Sequence, residues 1–234
     1  MKPGDDIGHS PAPAKFDQYA DDYSTLHQQS IGASGESPEY FSAYKLHCLE
    51  RLLGPRFEEP ILDYGCGIGT LTEHLAKRFR FVAGYDPSAS RLSRATTRCP
   101  GASFHADPST LPDAHFGAAV LSGVLHHVPP GERVDLLRSV VEKLRPRSGR
   151  LVVFEHNPLN PLTRRAVDQC AFDDDAILLG PWEAVRLLRS AGLDDIKRNF
   201  IVFFPKALAP LRPLEPFLRS LPIGAQMMLI GTRR

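Results

Sequence analysis

The densest chemical signal in the chain is the segment Asp63-Tyr64-Gly65-Cys66-Gly67-Ile68-Gly69. Glycines let a backbone turn sharply and approach a ligand where a Cβ would collide. A helix opening behind them offers unpaired amide N–H groups to that ligand. The order G-x-G-x-G differs from the G-x-G-x-x-G of nicotinamide sites, because the third glycine comes one residue early. The carboxylate of Asp63, just ahead of the first glycine, would repel a pyrophosphate and suits a cationic ligand. Imidazoles form the second group. His126 and His127 stand side by side, and His156 is followed by Asn157. An imidazole titrates near neutrality, so His127, and after it His126, are candidate general bases. His156 and Asn157 are candidates to face a second substrate.

These residues need a scaffold, and the hydrophobic pattern supplies one. Short apolar runs at 60–64, 81–85, 102–106, 116–122 and 150–154 read as strands. Helical spacing at 70–79, 88–97 and 131–145 alternates with them. Near-continuous apolar strands alternating with helices predict a parallel sheet covered on both faces. The candidate residues then all fall at the carboxyl ends of strands, where open α/β sheets bind ligands. Before this core, 16–30 carries short helical spacing, 31–38 is a breaker, and Phe41, Tyr44, Cys48 and Leu52 mark a helix stopped by Gly54-Pro55. After it come a long connection at 156–180, a helix at 181–191, and strands at 196–204 and 226–231. A Pro-rich stretch at 205–222 keeps helical spacing in Leu211, Leu214, Leu218 and Leu221, which predicts a short helix opening near Pro213. These leucines, with Phe200, Phe203 and Phe204, either wall an apolar pocket or pack on the sheet.

The glycine segment resembles motif I of the class I S-adenosylmethionine-dependent methyltransferases, which reads acidic-x-G-x-G-x-G. Their cofactor carries an ammonium and a sulfonium, which fits a carboxylate at Asp63. The next strand ends in Tyr85-Asp86-Pro87, and the resemblance casts Asp86 as the acceptor for the ribose hydroxyls. His105-Ala106-Asp107 followed by Leu111-Pro112 is similar to the family's D-x-x-x-L-P stretch, whose Asp meets the adenine amino group. Pro108 departs from a good adenine contact by lacking an N–H, which Ser109 or Thr110 would have to supply. Ser122 to Pro129 is similar to the V-L-H-H segment of the type 11/12 small-molecule methyltransferases. Phe16-Asp17-Gln18-Tyr19-Ala20 with Tyr23 is similar to the family's F-D-x-Y-A lead-in, whose aromatics close over the methionine end of the cofactor. Residues 57–155 carry the resemblance well. Residues 181–203 carry it weakly, and 156–180 and 205–222 match no pattern.

The resemblance implies a doubly wound, seven-stranded, mainly parallel α/β sheet of Rossmann-like methyltransferase type. It also implies one reversed edge strand, and helical lid elements at the N-terminus and between the sixth and seventh strands. It implies S-adenosylmethionine as cofactor, held by Tyr19, Asp63, Gly65, Cys66, Gly67, Asp86, Pro87, Ala106, Asp107, Pro108 and Ser122. Tyr23, His156 and Asn157 would meet the acceptor. The expected organisation is a disordered tail at 1–15, a helical cap at 16–56 and the main domain at 57–234, with 156–180 and 205–222 shaping the acceptor site. The expected activity is methyl transfer to a small organic acceptor, apolar, aromatic or lipid-like, at oxygen first, then carbon or nitrogen. The alternative is a non-catalytic S-adenosylmethionine-binding regulatory protein.

Composition narrows the rest. The chain has 234 residues, 42% hydrophobic and 24% charged, which excludes wholesale disorder and fibrous classes. Its 28 Lys+Arg against 27 Asp+Glu show no basic excess of the kind nucleic-acid binders use, so no nucleic-acid partner is expected. No apolar run reaches the ~20 residues needed to span a bilayer, and the N-terminus lacks a signal-peptide core, so a cytoplasmic location is expected. Cys48, Cys66, Cys99 and Cys170 form no C-x-x-C pair and read as free thiols. His126, His127, His156 and Asp173 to Asp175 could be gathered into a ligand list, but the spacing fits no zinc motif and adjacent histidines rarely share an ion. No metal is expected, and Asp173 to Asp175 read as a solvated turn or helix cap. The sequence says nothing of oligomeric state.

Overall fold

The computed structural model describes residues 31–170 and 173–234. The tail at 1–15, the helical spacing at 16–30, and the Tyr19 and Tyr23 assignments lie outside the described residues.

Among the described residues, seven strands form one sheet: β1 (Ile61–Tyr64), β2 (Val82–Tyr85), β3 (Ser103–His105), β4 (Ala118–Ser122), β5 (Arg150–His156), β6 (Leu193–Ile201) and β7 (Gln226–Arg233). Their order is β3-β2-β1-β4-β5-β7-β6. Pairing is parallel from β3 through β5, while β7 runs antiparallel to both β5 and β6. The reversed strand is therefore not at the edge, as expected, but inside the sheet, and β6 is the edge. The helices that connect and cover these strands are α1 (Pro38–Leu53), α2 (Thr70–Arg78), α3 (Ala89–Arg98), α4 (Arg133–Lys143), α5 (Pro161–Asp168), α6 (Pro181–Ser190) and α7 (Glu215–Leu218).

Alternation along the strands divides the core into two layers. Leu62, Ala119, Leu121, Leu151 and Val153 face Leu137 and Val140 of α4 and Leu188 of α6. Ile61, Val120, Val152 and Phe154 face the other way, toward Leu49 of α1 and Leu71 and Leu75 of α2. All these side chains are buried. A sheet covered on both faces can open to a ligand only at its strand ends, so the double cover directs the site to the carboxyl edge.

The two least readable segments behave differently from one another. Within 156–180 the chain forms α5, whose N-terminus is capped by Asn160, its side chain accepting from the amides of Leu162 and Thr163. The Asn160-Pro161 pair is the helix-start signal there. In 205–222 the chain forms a 3₁₀ stretch, Lys206–Leu214, before the single turn of α7. Of the residues expected to wall a pocket or pack on the sheet, Phe200 is buried in the core with Phe203 against it, and Leu218 is half-buried. Leu211, Leu214 and Leu221 are exposed, and Phe217 is 82% exposed. The segment braces α1 instead. Tyr44 donates to Glu215 at 2.6 Å, Glu215 also accepts the amides of Phe203 and Phe204, and Arg212 pairs with Glu36 while stacking 4.5 Å over Tyr40. All four cysteines are buried and none is in a disulfide, and among the described residues no helix is long and apolar enough to cross a membrane.

Candidate functional site

A cavity of about 550 Å³ opens at the carboxyl edge of the sheet. The strand order places the glycine loop after β1 and Asp86 after β2 toward one side, and the imidazoles after β4 and β5 toward the other. Asp63, Gly65, Cys66, Gly67, Asp86, Pro87, Ser122, His126, His127 and His156 all line it, so ten widely separated sequence candidates meet in one space.

Glycine is required in the loop for stated reasons. Gly65 has φ +81°, and a Cβ there would stand 2.5 Å from Val124 Cγ2. Gly69 has φ +78°, and a Cβ would stand 3.0 Å from the Cα of Ala95. Gly67, at φ +55°, meets nothing within 4 Å and faces open space. Asp86 is buried yet lines the cavity, and it knits the loop to β2. One carboxylate oxygen accepts the Gly67 amide at 2.9 Å and the other the Ser88 amide at 3.0 Å, with Arg91 at 3.8 Å. Asp63 accepts from the Thr72 hydroxyl at 2.6 Å. Burial raises its pKa to about 6, against the opposing pull of Thr72 and Lys45.

At the other side the charges are tightly arranged. His126 Nδ1 donates to Glu155 Oε2 at 2.6 Å, and Glu155 Oε1 accepts the amides of Val124 and Leu125 at 3.1 and 2.7 Å. Asp173 Oδ1 lies 3.6 Å from His126 Nε2 and 3.4 Å from His127 Nε2. Burial disfavours charge on His126, but Glu155 and Asp173 outweigh it and lift its pKa to about 10. Burial and then the repulsion of charged His126 push His127 and His156 down to about 4 each. Burial works against ionised Asp173 as well, but the surrounding imidazoles hold its carboxyl below the usual range. The site therefore holds one imidazolium clamped by carboxylates and two neutral imidazoles at pH 7.

Several expectations fall elsewhere. Ala106, Asp107 and Pro108 do not line this cavity among the described residues. Asp107 is exposed and turns back to accept the Ser109 amide at 2.8 Å. Asn157 is fully buried, donating to the carbonyls of Pro222 and Gly224 at 3.0 and 2.7 Å, so it pins the β6–β7 connection rather than facing the cavity. Asp173, expected in a solvated turn, is buried and lines the cavity. Of the two segments that match no pattern, 156–180 contributes lining residues and 205–222 contributes none among the described residues.

Sequence reading missed Lys45 and Glu155, and named Asp173 only to set it aside as a solvated turn or cap. Lys45 reaches from α1 to donate to Ser122 at 2.7 Å and lies 5.9 Å over the Phe154 ring. Burial lowers its pKa to about 8, against the pull of Glu155 and Asp63. The partners of Lys45 and Glu155 lie 77 and 29 positions away along the chain, beyond any local motif. For Glu155 a signal existed, since a carboxylate inside an otherwise apolar strand needs a partner.

Known proteins share part of this sequence and its fold. Residues 61–147 match the methyltransferase domain family. An uncharacterized methyltransferase of Mycobacterium tuberculosis is 44% identical over 73 residues, 29% of this chain and 37% of the relative. The matched stretch thus spans little more than a third of that relative's length. The uncharacterized methyltransferase YrrT of Halobacillus halophilus is 26% identical over 146 residues, 60% of this chain and 64% of the relative. A 23S rRNA (uracil-C5)-methyltransferase of Stenotrophomonas maltophilia is 32% identical over 127 residues, 53% of this chain and 26% of the relative. Among solved structures, an S-adenosylmethionine-dependent methyltransferase of Thermotoga maritima, described as a possible histamine N-methyltransferase, superimposes with a TM-score of 0.68 at 18% identity. That match covers 94% of this chain and 99% of the other, so the two share a fold.

Proposed function

From the premise that residues 61–147 carry a methyltransferase domain, we propose that this chain transfers a methyl group from S-adenosylmethionine to a small organic acceptor. The observation that carries the reading is the joining of two halves in one cavity. A glycine loop with Gly67 facing open space stands beside the Asp86 carboxylate, and neutral imidazoles stand across from them.

The residues present fit the cofactor. Asp86 would take the ribose hydroxyls, the loop amides and Asp63 would hold the methionine end, and Ser122, which lines the same cavity, would stand beside them. When bound, the cofactor supplies a methyl group on a sulfonium, an electrophile that needs no further activation. The protein's part is then to position the acceptor, exclude water and remove a proton where the acceptor carries one. His127 is the base of choice, because its low pKa keeps it neutral with a lone pair to offer. Asp173 beside its Nε2 would stabilise the imidazolium formed. His126 already carries its proton and acts instead as a fixed positive charge.

The cavity wall bears on the acceptor. No leucine of 206–221 lines the cavity, whose wall mixes apolar side chains such as Leu71, Leu136, Phe154 and Val167 with the hydrogen-bonding groups of His127, His156, Lys45 and Gln226. This supports a small acceptor that presents a hydroxyl or similar heteroatom to the imidazoles, with oxygen the first choice for methylation. The near-neutral net charge supports a small molecule over a nucleic acid.

Calorimetric titration with S-adenosylmethionine and S-adenosylhomocysteine, with NADH as control, tests the cofactor. Micromolar binding of the adenosyl ligands alone supports the reading, and NADH binding in their place would sink it. Mass-spectrometric detection of methylated product across hydroxyl-bearing acceptors then separates an enzyme from a cofactor-binding regulator.

A further inference from the structure

His126, His156 and Asp173 stand at positions that no local motif links, yet one ligand atom of each lies within 4.8 Å of the other two. They arrive from three places: the turn after β4, the end of β5, and the connection between α5 and α6. All three line the cavity. We propose that they form a divalent metal site of the zinc class, with its open position toward the cavity. The site itself does not rest on the methyl-transfer reading.

The first support is the way His126 is held. Its Nδ1 hydrogen goes to Glu155 at 2.6 Å, and two backbone amides fix the other oxygen of that carboxylate. That leaves Nε2 as the atom directed at Asp173. A carboxylate behind a histidine, fixing its tautomer and raising its basicity, is the usual outer partner of a metal-bound imidazole.

The second support is Asp173. Its side chain is 6% exposed, and Oδ1 is buried without a hydrogen-bond donor. A buried carboxylate oxygen in that condition is costly, and the His126 imidazolium beside it stands beyond hydrogen-bonding reach, so an ion held between the two would satisfy it. The 3.6 Å between Oδ1 and His126 Nε2 is longer than a hydrogen bond. It falls at the upper end of the roughly 3.3–3.6 Å that separates two ligands of a tetrahedral ion with bonds of about 2.0–2.2 Å.

The third support is the donor set. Two imidazoles and one carboxylate with a vacant fourth place make up the ligand pattern of catalytic zinc. Metal entry would displace the proton from His126 Nε2 and release it to solvent. A heteroatom of the acceptor could then complete the shell, where the ion would act as a Lewis acid. That last role, unlike binding, does rest on the methyl-transfer reading.

The test begins with chelator-stripped protein, titrated with zinc by calorimetry and with cobalt(II) by visible absorption. The expected result is one equivalent bound, with the intense d–d bands of a low-coordinate cobalt ion. His156→Ala and Asp173→Asn should each weaken binding by about a hundredfold or more, and Glu155→Gln by about ten- to a hundredfold. His115→Ala, remote from the cavity, should leave it unchanged. X-ray absorption of the zinc-loaded wild type should count two imidazoles, which decides the matter even where a variant fails to fold. Absence of a stoichiometric wild-type site, or binding indifferent to His156→Ala and Asp173→Asn, overturns the proposal and leaves His126 as an imidazolium only. A parallel titration with S-adenosylhomocysteine keeps the two readings apart. Its failure with the metal bound removes the cofactor assignment alone, and metal failure with the nucleoside bound removes the metal site alone.

Discussion

Glu155 on β5 holds His126, in the turn after β4, by a 2.6 Å hydrogen bond, and both side chains are almost fully buried. The same carboxylate also satisfies the Val124 and Leu125 amides, so it anchors the whole turn that carries His127. Removing it strands a buried imidazolium and two amides. Glu155→Ala should therefore cost about 3–5 kcal/mol in urea unfolding, and Glu155→Gln less, because the amide oxygen can still accept. Equal stability of Glu155→Ala and wild type would contradict the clamp.

Asp86→Ala removes the carboxylate assigned to the ribose and should weaken S-adenosylhomocysteine binding by at least about tenfold, the equivalent of one charge-assisted hydrogen bond. Because Asp86 also holds the Gly67 and Ser88 amides, Asp86→Asn should be measured beside it. Normal affinity in both would displace the cofactor from this part of the cavity.

Gly65→Ala tests the loop backbone. The added methyl meets Val124 and a φ of +81° that L side chains avoid, so the loop must shift. Cofactor affinity should fall while far-ultraviolet circular dichroism stays unchanged. The double change Gly65→Ala with Val124→Ala removes the clash but not the φ strain, and should recover only part of the loss.

His127→Ala should lower turnover by about 10²–10⁴-fold and leave cofactor affinity intact, the signature of a lost base. A variant that binds the cofactor normally and turns over at the wild-type rate would free His127 from that role.

Acid stability is set by the imidazoles. In the unfolded chain His127 and His156 take protons near 6.5, whereas burial, followed by His126, holds them at about 4 in the fold. Between those values the unfolded state binds more protons, so stability falls as pH drops from about 6.5 toward 4. Asp63 works in the opposite sense, since its folded pKa of about 6 lies above its unfolded value. His126, with a folded pKa of about 10 above its unfolded value, works with Asp63. Glu155 and Asp173, held below the usual carboxylate range, work with His127 and His156. The net is a loss, and thermal melting should show Tm lower at pH 4.5 than at pH 7. His156→Gln should shrink that difference; an unchanged difference would mean that His156 is not held neutral.

The division between what was legible and what was not is physical. Strands β1, β2 and β4 and their following turns were readable because apolar runs and glycines act locally, and the resemblance singled out Asp86 at the end of β2. The surroundings of His126 were not, because Glu155 and Asp173 join it only when separate segments fold together. Asn157 kept its place at the end of β5 but turned its amide to the carbonyls of Pro222 and Gly224, which composition cannot foretell. The leucines of 211–221 keep a helical rhythm and a short helix does open just past Pro213, at Glu215, but the chain ahead of it is a 3₁₀ stretch that leaves Leu211 and Leu214 outside. The place of β7 was hidden for a related reason: strand order depends on which edge accepts the final pairing.

That placement governs the order of assembly. Among the described strands β6 touches the sheet only through β7, pairing along Leu193–Ile201, and β7 covers the edge of β5 that β4 leaves open. During synthesis β6 emerges before any surface exists to receive it. The edge of β5, with Phe154 and Glu155 on it, must wait uncovered until β7 is made. The wall that carries Glu155 and His156 is thus completed by the last strand to leave the ribosome among those described, and a chain halted before residue 226 would hold the glycine loop but not a finished cavity.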